Sequence, residues 1–359
     1  LVESLPAATP FVGPETLERQ RGARFLARIG ANESAFGISP AAHEAMSRTL
    51  SEIAWYGDPE NFELREALAA RHGVPADCIC VDAGIDSLLG LTVRMLVGPG
   101  TAVVTSLGAY PTFNYHVAGF GGQLVTVPYS DDHEDTQALL KASREHAASI
   151  VYLSNPDNPM GTWHDASTIT AMINAIPNGT MLALDEAYAE FAPASALPPI
   201  DTSNQQVMRF RTFSKAYGMA GARIGYVIAN PVVIQGLNKI RNHFGVNRIA
   251  QAGALASLKD GEFLQSVANR VTEGRQRIYA MAAENGLTAI ESATNFVAVD
   301  LGSPTKAKAV LDYLIAHDVF VRMPGVEPLN RCVRIGVGTP EEHAALTGVF
   351  KQALASTGG

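Results

Sequence analysis

Residues 180–187 read TMLALDEA, an apolar run from Met181 to Leu184 closed by two carboxylates. A run without polar alternation suits a strand covered on both faces, the kind that builds parallel sheets. Six further runs of this type recur: CICVDAG at 78–84, TAVVTS at 101–106, QLVTVPY at 123–129, SIVYLSN at 149–155, QVMRFRTFS at 206–214 and ARIGYVIAN at 222–230. Between most of them lie helical patterns such as SLLGLTVRMLV at 87–97 and DASTITAMINAI at 165–176. Strand and helix in alternation predict an α/β fold with a mostly parallel seven-stranded sheet covered by helices.

The chain has 359 residues, more than one compact core usually serves, so two lobes are expected. The large domain is placed at 45–255. A long helical stretch over 261–286 follows, then ATNFVAVD, TKAKAVLDYLIAHD, VFVRM, RCVRIGV and PEEHAALTGVFKQAL, which together predict a smaller α+β domain over 256–359. Residues 1–44, rich in Pro and Gly, read as an arm that joins the small domain and reaches the mouth of the site.

A formal net charge of −8 leaves no basic footprint for nucleic acid or an anionic membrane surface, so small-molecule chemistry is the expectation. Cys78, Cys80 and Cys332 predict reduced core thiols in a cytoplasmic protein, and the scattered histidines form no local metal motif. The apolar stretch 95–130 is interrupted by Gly98, Pro99, Gly100, Pro111 and a glycine cluster, which argues for buried strands and turns over a membrane span. No basic and apolar leader pattern opens the sequence. No lysine follows a glycine, so no phosphate loop of the GK[ST] kind exists, and GFGG at 119–122 lacks dinucleotide-binding spacing.

In open α/β sheets, ligands bind beyond the carboxyl ends of the strands. Three polar clusters fall at such ends: SNPDNPMGT at 154–162, DEAYAEF at 185–191 and TFSKAYG at 212–218. A lysine there can condense with a carbonyl, an aspartate ending a buried strand can hold a protonated ring nitrogen, and an arginine with a serine and a helix N-terminus can hold a phosphate. Together these are the requirements of pyridoxal 5′-phosphate.

SKAYGMAGARIGY, SNPDNPMGT, DEAYAEF and CVRIGVGTP resemble the motifs of fold-type I pyridoxal-phosphate-dependent aminotransferases, specifically the histidinol-phosphate branch. The resemblance runs from Ala31 nearly to the end of the chain. It implies that Lys215 tethers the cofactor aldehyde and later moves a proton. It further implies that Asp185 pairs with the ring nitrogen, and that Asn158 and Tyr188 hydrogen-bond the ring oxygen. Thr212, Ser214, Arg223 and the N–H groups of Ile85 and Asp86 would hold the phosphate, Phe113 would stack on the ring, and Tyr56 would reach the phosphate of a neighbouring subunit. That last role implies a homodimer. Toward substrate, Arg334 would grip an α-carboxylate, Arg322 would lie near a distal phosphate, and Asn32 and Phe11 would line the mouth. The catalytic set is therefore Lys215, Asp185 and Tyr188.

Taken alone, Tyr188 and Phe113 also fit ordinary core positions, and Arg223 and Arg334 fit ion pairs. The expected reaction is amino transfer from L-histidinol phosphate to 2-oxoglutarate. The alternative is an aromatic amino acid aminotransferase, since Phe11 stands where the family commonly has a tyrosine; a decarboxylase or lyase of the same fold ranks below it.

Overall fold

The computed structural model describes residues 5–6 and 12–356; Phe11 lies outside them. Seven strands form one sheet in the order Ile79–Asp82, Gly225–Ala229, Val207–Thr212, Met181–Asp185, Ile150–Ser154, Ala102–Ser106, Gln123–Val127. Only Gly225–Ala229 runs against its neighbours, and the remaining contacts are parallel. Met181–Asp185 is the central strand, and all five of its residues are buried.

Alternate residues feed two faces. Val103, Ile150, Met181, Ala183, Met208 and Phe210 pack beneath the helix Ile85–Leu96, while Val104, Val151, Leu153, Leu182 and Leu184 pack beneath Thr136–Glu145 and Ala166–Ala175. The inner strands Met181–Asp185 and Ile150–Ser154 are thus covered on both sides, which accounts for their uninterrupted runs in the sequence.

The strand Val207–Thr212 breaks this rule with Arg209 and Arg211, both buried. Their partner is Glu186, directly after the central strand: Arg209 Nε and Arg211 Nε donate to its Oε2 at 3.0 and 2.8 Å, and Arg209 Nη2 donates to Oε1 at 2.5 Å. Burial works to raise the Glu186 carboxyl, but Arg211 and Arg209 outweigh it and hold the group below its usual range. Losing the shared anion leaves Arg209 buried without an anion and Arg211 with only Glu190, 3.8 Å away. Glu186→Ala is therefore expected to destabilise the fold by about 3–5 kcal/mol. The reading is the urea midpoint; an unshifted midpoint would mean that water or Glu190 replaces the anion.

A second core gathers the helices Gly261–Glu284, Pro304–Ala316 and Pro340–Ser356 around the antiparallel sheet Thr288–Ala289, Phe296–Asp300, Cys332–Gly336. VFVRM supplies a strand of only two residues, Val319–Phe320, and it pairs in parallel with Ala27–Arg28 of the N-terminal segment instead of joining this sheet. The segment is not all extended, since Pro14–Arg21 and Pro40–Thr49 are helices. Pro40 opens the second of these at a position that needs no N–H, and Ser39 caps it by accepting from the Ala42 N–H at 3.0 Å. The expected boundaries near 45 and 255 fall inside Pro40–Thr49 and Arg248–Lys259, two helices that pack on each other. Among the described residues no helix is long and apolar enough to cross a membrane, and no group of three or more His, Cys, Asp or Glu is placed to hold a metal.

Candidate active site

Three parallel strands, Ile150–Ser154, Met181–Asp185 and Val207–Thr212, lie side by side and end together. Their carboxyl ends deliver the three polar clusters to one cavity of about 350 Å³, lined among others by Asn158, Asp185, Tyr188, Thr212, Ser214 and Lys215. The first helix turn after Ile79–Asp82, with Ile85 and Asp86, and Arg223 complete the wall.

Asp185 sits 5 % exposed on the cavity floor. Its Oδ2 accepts from the Tyr152 hydroxyl at 2.8 Å and its Oδ1 from the Ala187 N–H at 3.0 Å. Burial pushes its carboxyl up to about 6, with those two donors opposing. Among the described residues no basic side chain forms an ion pair with it, and its carboxylate lines the cavity.

At the other end, the helix Ile85–Leu96 begins after Gly84 with no side-chain cap, leaving its first N–H groups open to an anion. Gly84 has φ +89°, and a Cβ there would stand 2.6 Å from Arg223 Nη2, so only glycine leaves the guanidinium its place. Arg223 itself lies in the left-handed region at φ 57° and approaches Asp86 Oδ2 at 3.7 Å. Thr212 Oγ1 accepts from the Ser214 N–H at 3.0 Å, which fixes the turn leading into Lys215.

Lys215 Nζ donates to the backbone carbonyl of Asn32 at 3.2 Å. Burial, then the Arg334 guanidinium, push this amine down to about 8, so near neutral pH a share of it is uncharged and nucleophilic. The same Asn32 carbonyl accepts from Asn295 Nδ2 at 3.1 Å, and Asn32 Nδ2 donates to the Tyr188 hydroxyl at 2.9 Å. Arg334 Nη1 donates to Asn158 Oδ1 at 2.6 Å and Nη2 to the Gly30 carbonyl at 3.4 Å, with the guanidinium 5.0 Å from the Phe296 ring centroid. Among the described residues no carboxylate lies within ion-pair distance of Arg334. Desolvation pushes it down to about 10.

Lys215, Asp185, Asn158, Tyr188, Thr212, Ser214, Arg223, Ile85 and Asp86 all line the cavity; Asn32 and Arg334 bond to its walls. Three more of the described residues expected at the site neither line it nor bond to its walls. Phe113 needs a correction: it is wholly buried, stacked on Tyr152 with centroids 4.7 Å apart, and of the two aromatics in the YPTF stretch it is Tyr110 that lines the cavity. Tyr110 immediately precedes Pro111, which opens the helix Pro111–Gly119, so it sits at the helix mouth while Phe113 turns into the core. Tyr56 is 75 % exposed, with its ring 4.7 Å from that of Phe244. Arg322 stands behind Arg334, joined to it backbone to backbone, and its Nη2 donates to the Val12 carbonyl at 2.6 Å. Residues that the sequence reading missed are Tyr110, Tyr152 and Ser154, together with Glu33 at the mouth. Tyr110 carried the same signal as the others, a polar group just past a strand end.

The arrangement fits the expected cofactor on its own terms: an uncompensated carboxylate at one end, a guanidinium with an uncapped helix at the other, and a desolvated amine between them. The "Aminotransferase class I and II" family model matches residues 27–349. A solved structure of histidinol-phosphate aminotransferase from Sinorhizobium meliloti, in complex with pyridoxal-5′-phosphate, is 51% identical with a TM-score of 0.95, covering 96% of this chain and 95% of that one. Histidinol-phosphate aminotransferase 2 of Ralstonia nicotianae is 35% identical over 92% of this chain and 89% of its own length. The histidinol-phosphate aminotransferase of a Geobacillus species is 30% identical over 98% and 97%.

Proposed function

The chain belongs to the class I and II aminotransferases, and from that premise we propose that it uses pyridoxal 5′-phosphate to transfer the amino group of L-histidinol phosphate to 2-oxoglutarate, giving imidazole acetol phosphate and L-glutamate. The observation that carries the reading is the desolvated Lys215 amine in one cavity with an uncompensated Asp185. The names of relatives at 35% and 51% identity support the substrate.

When bound, the cofactor supplies an aldehyde that condenses with amines and an electron-withdrawing ring that stabilises negative charge at the substrate Cα. Asp185 would balance a proton on the ring nitrogen. The first-turn N–H groups of Ile85 and Asp86, with Ser214, Thr212 and Arg223, would hold the phosphate dianion. Asn158 and Tyr188 would hydrogen-bond the ring oxygen, and Tyr110 would contribute an apolar wall beside the ring. Lys215 Nζ would hold the aldehyde end and would serve as the base that takes the proton from the substrate Cα.

Histidinol phosphate bears a phosphate ester where an amino acid bears its carboxylate, so the anion site must accept a dianion in one half-reaction and a monoanion in the other. Arg334 with Arg322 behind it provides two guanidiniums for the first and one for the second.

The same reading includes an arm over 1–44, a cofactor-binding domain over 45–255 and a small domain over 256–359, with Asn32, Lys215 and Arg334 contributed by each in turn. It also includes a cytoplasmic homodimer. Exposed apolar side chains Ile53, Trp55, Tyr56, Phe62 and Phe244, between 50 % and 75 % exposed, support a second copy as their cover. Tyr56 would then serve the partner's phosphate site.

The test is a single turnover of the cofactor-loaded protein, mixed separately with histidinol phosphate, phenylalanine and tyrosine, following conversion to the amino form of the cofactor. Histidinol phosphate is expected to react at least about tenfold faster than either aromatic amino acid. A preference for the aromatic amino acids would reject the substrate while keeping the reaction class.

A further inference from the structure

One buried hydroxyl on the cavity floor has no part in the scheme above. Tyr152 lies in the middle of the strand Ile150–Ser154, opposite Ala183 of the central strand, and is wholly buried. Its hydroxyl lies 2.8 Å from Asp185 Oδ2 and 3.1 Å from Ser154 Oγ. We propose that Tyr152 is a positioning residue that acts through Asp185, holding its carboxylate fixed and anionic so that the cofactor's ring nitrogen keeps its proton. This inference rests on the cofactor reading and deepens it.

The geometry supports that role in three ways. Among the described residues the Asp185 carboxylate has two hydrogen-bond donors, Tyr152 and the Ala187 N–H, and no ion-pair partner. Its charged neighbours work against ionisation: Asp86 across the cavity and Glu186 next in the chain both raise it, and Glu134, itself buried and pushed well up, lies beyond Ser154. The Tyr152 ring cannot swing away, because Phe113 stacks on it at an interplanar angle of 19°. Phe113 thereby serves the site from behind, as a buttress instead of a cover for the ring. Burial also pushes the Tyr152 phenol well above its usual range, so it remains a donor at any working pH. A hydrogen bond to a buried anion is worth more than one between neutral groups, and its loss falls on the charged state alone.

The experiment compares wild type, Tyr152→Phe, Asp185→Asn and the double variant as apoenzymes titrated with pyridoxal 5′-phosphate labelled with nitrogen-15 in the ring. Tyr152→Phe is expected to weaken cofactor binding about ten- to hundredfold and to move the ring-nitrogen resonance toward the unprotonated position. On the Asp185→Asn background it is expected to change neither reading. A wild-type resonance and affinity in Tyr152→Phe, or an equal loss on both backgrounds, would overturn the role and leave a packing residue. Should Tyr152→Phe fail to fold, Phe113→Leu keeps the hydroxyl but frees the ring, and the resonance is expected to move the same way by less; no movement overturns the proposal. A wild-type apoenzyme that takes up no cofactor would reject the cofactor reading itself, a failure distinct from the others.

Discussion

Lys215→Ala is expected to lower turnover by at least about 10⁴-fold, because in the proposed scheme a single amine is both the tether and the base for the Cα proton. No other lysine lines the cavity, so no neighbouring amine replaces it. Cofactor affinity should also fall, but the phosphate contacts proposed for Ile85, Asp86, Ser214 and Arg223 would not involve this side chain and should retain weak binding. Hydrogen–deuterium exchange at the substrate Cα separates the two effects. Exchange at the wild-type rate with saturating cofactor would assign the base to another group and leave Lys215 as a tether only.

Arg334→Ala has the second largest expected effect. Its guanidinium projects from the strand Cys332–Gly336 into a region where desolvation already disfavours its charge, with only neutral acceptors in reach. A protein that keeps such a cation without a carboxylate partner is poised for an incoming anion. Both half-reactions bring one, so kcat/KM for donor and acceptor should each fall about 10²–10³-fold. Arg334→Lys should recover only part of this, since a point charge does not reproduce a planar fork. Unchanged Michaelis constants for both substrates would contradict the role.

The fold was legible where burial on both faces leaves a mark in composition: the central strands Met181–Asp185 and Ile150–Ser154 appear as nearly unbroken apolar runs, and the other large-sheet strands as shorter or interrupted ones. The reversal of Gly225–Ala229 was not legible, because chain direction depends on the connection and leaves the apolar pattern unchanged. VFVRM reads like its neighbours too, yet Val319–Phe320 pairs with the distant Ala27–Arg28, a choice made by tertiary geometry. At the site, residues announced by a strand end were placed together, as with Asn158, Asp185 and Lys215. Phe113 was misplaced for a physical reason. Within the YPTF stretch both Tyr110 and Phe113 are aromatic, and which one meets the cavity is set by helix rotation after Pro111, invisible in one dimension. Arg209 and Arg211 were read as part of a strand without their anion, since Glu186 looked like a companion of Asp185 when it faces the opposite side of the sheet.

The bonds across Asn32 and Gly30 also bear on how the protein is made. Lys215 reaches Asn32 over a separation of 183 residues, Asn295 over 263, and Arg334 reaches Gly30 over 304. During synthesis the large sheet is complete once Ala229 has emerged, and it can fold as a unit while translation continues. A nascent chain at that stage carries Lys215, Asp185 and the residues proposed for the phosphate, but neither Arg334 nor Asn295, whose side chain bonds the first-made segment over the lysine. Cofactor capture is therefore open to the growing polypeptide, while handling of substrate waits for the last hundred or so residues to arrive and close these longest loops.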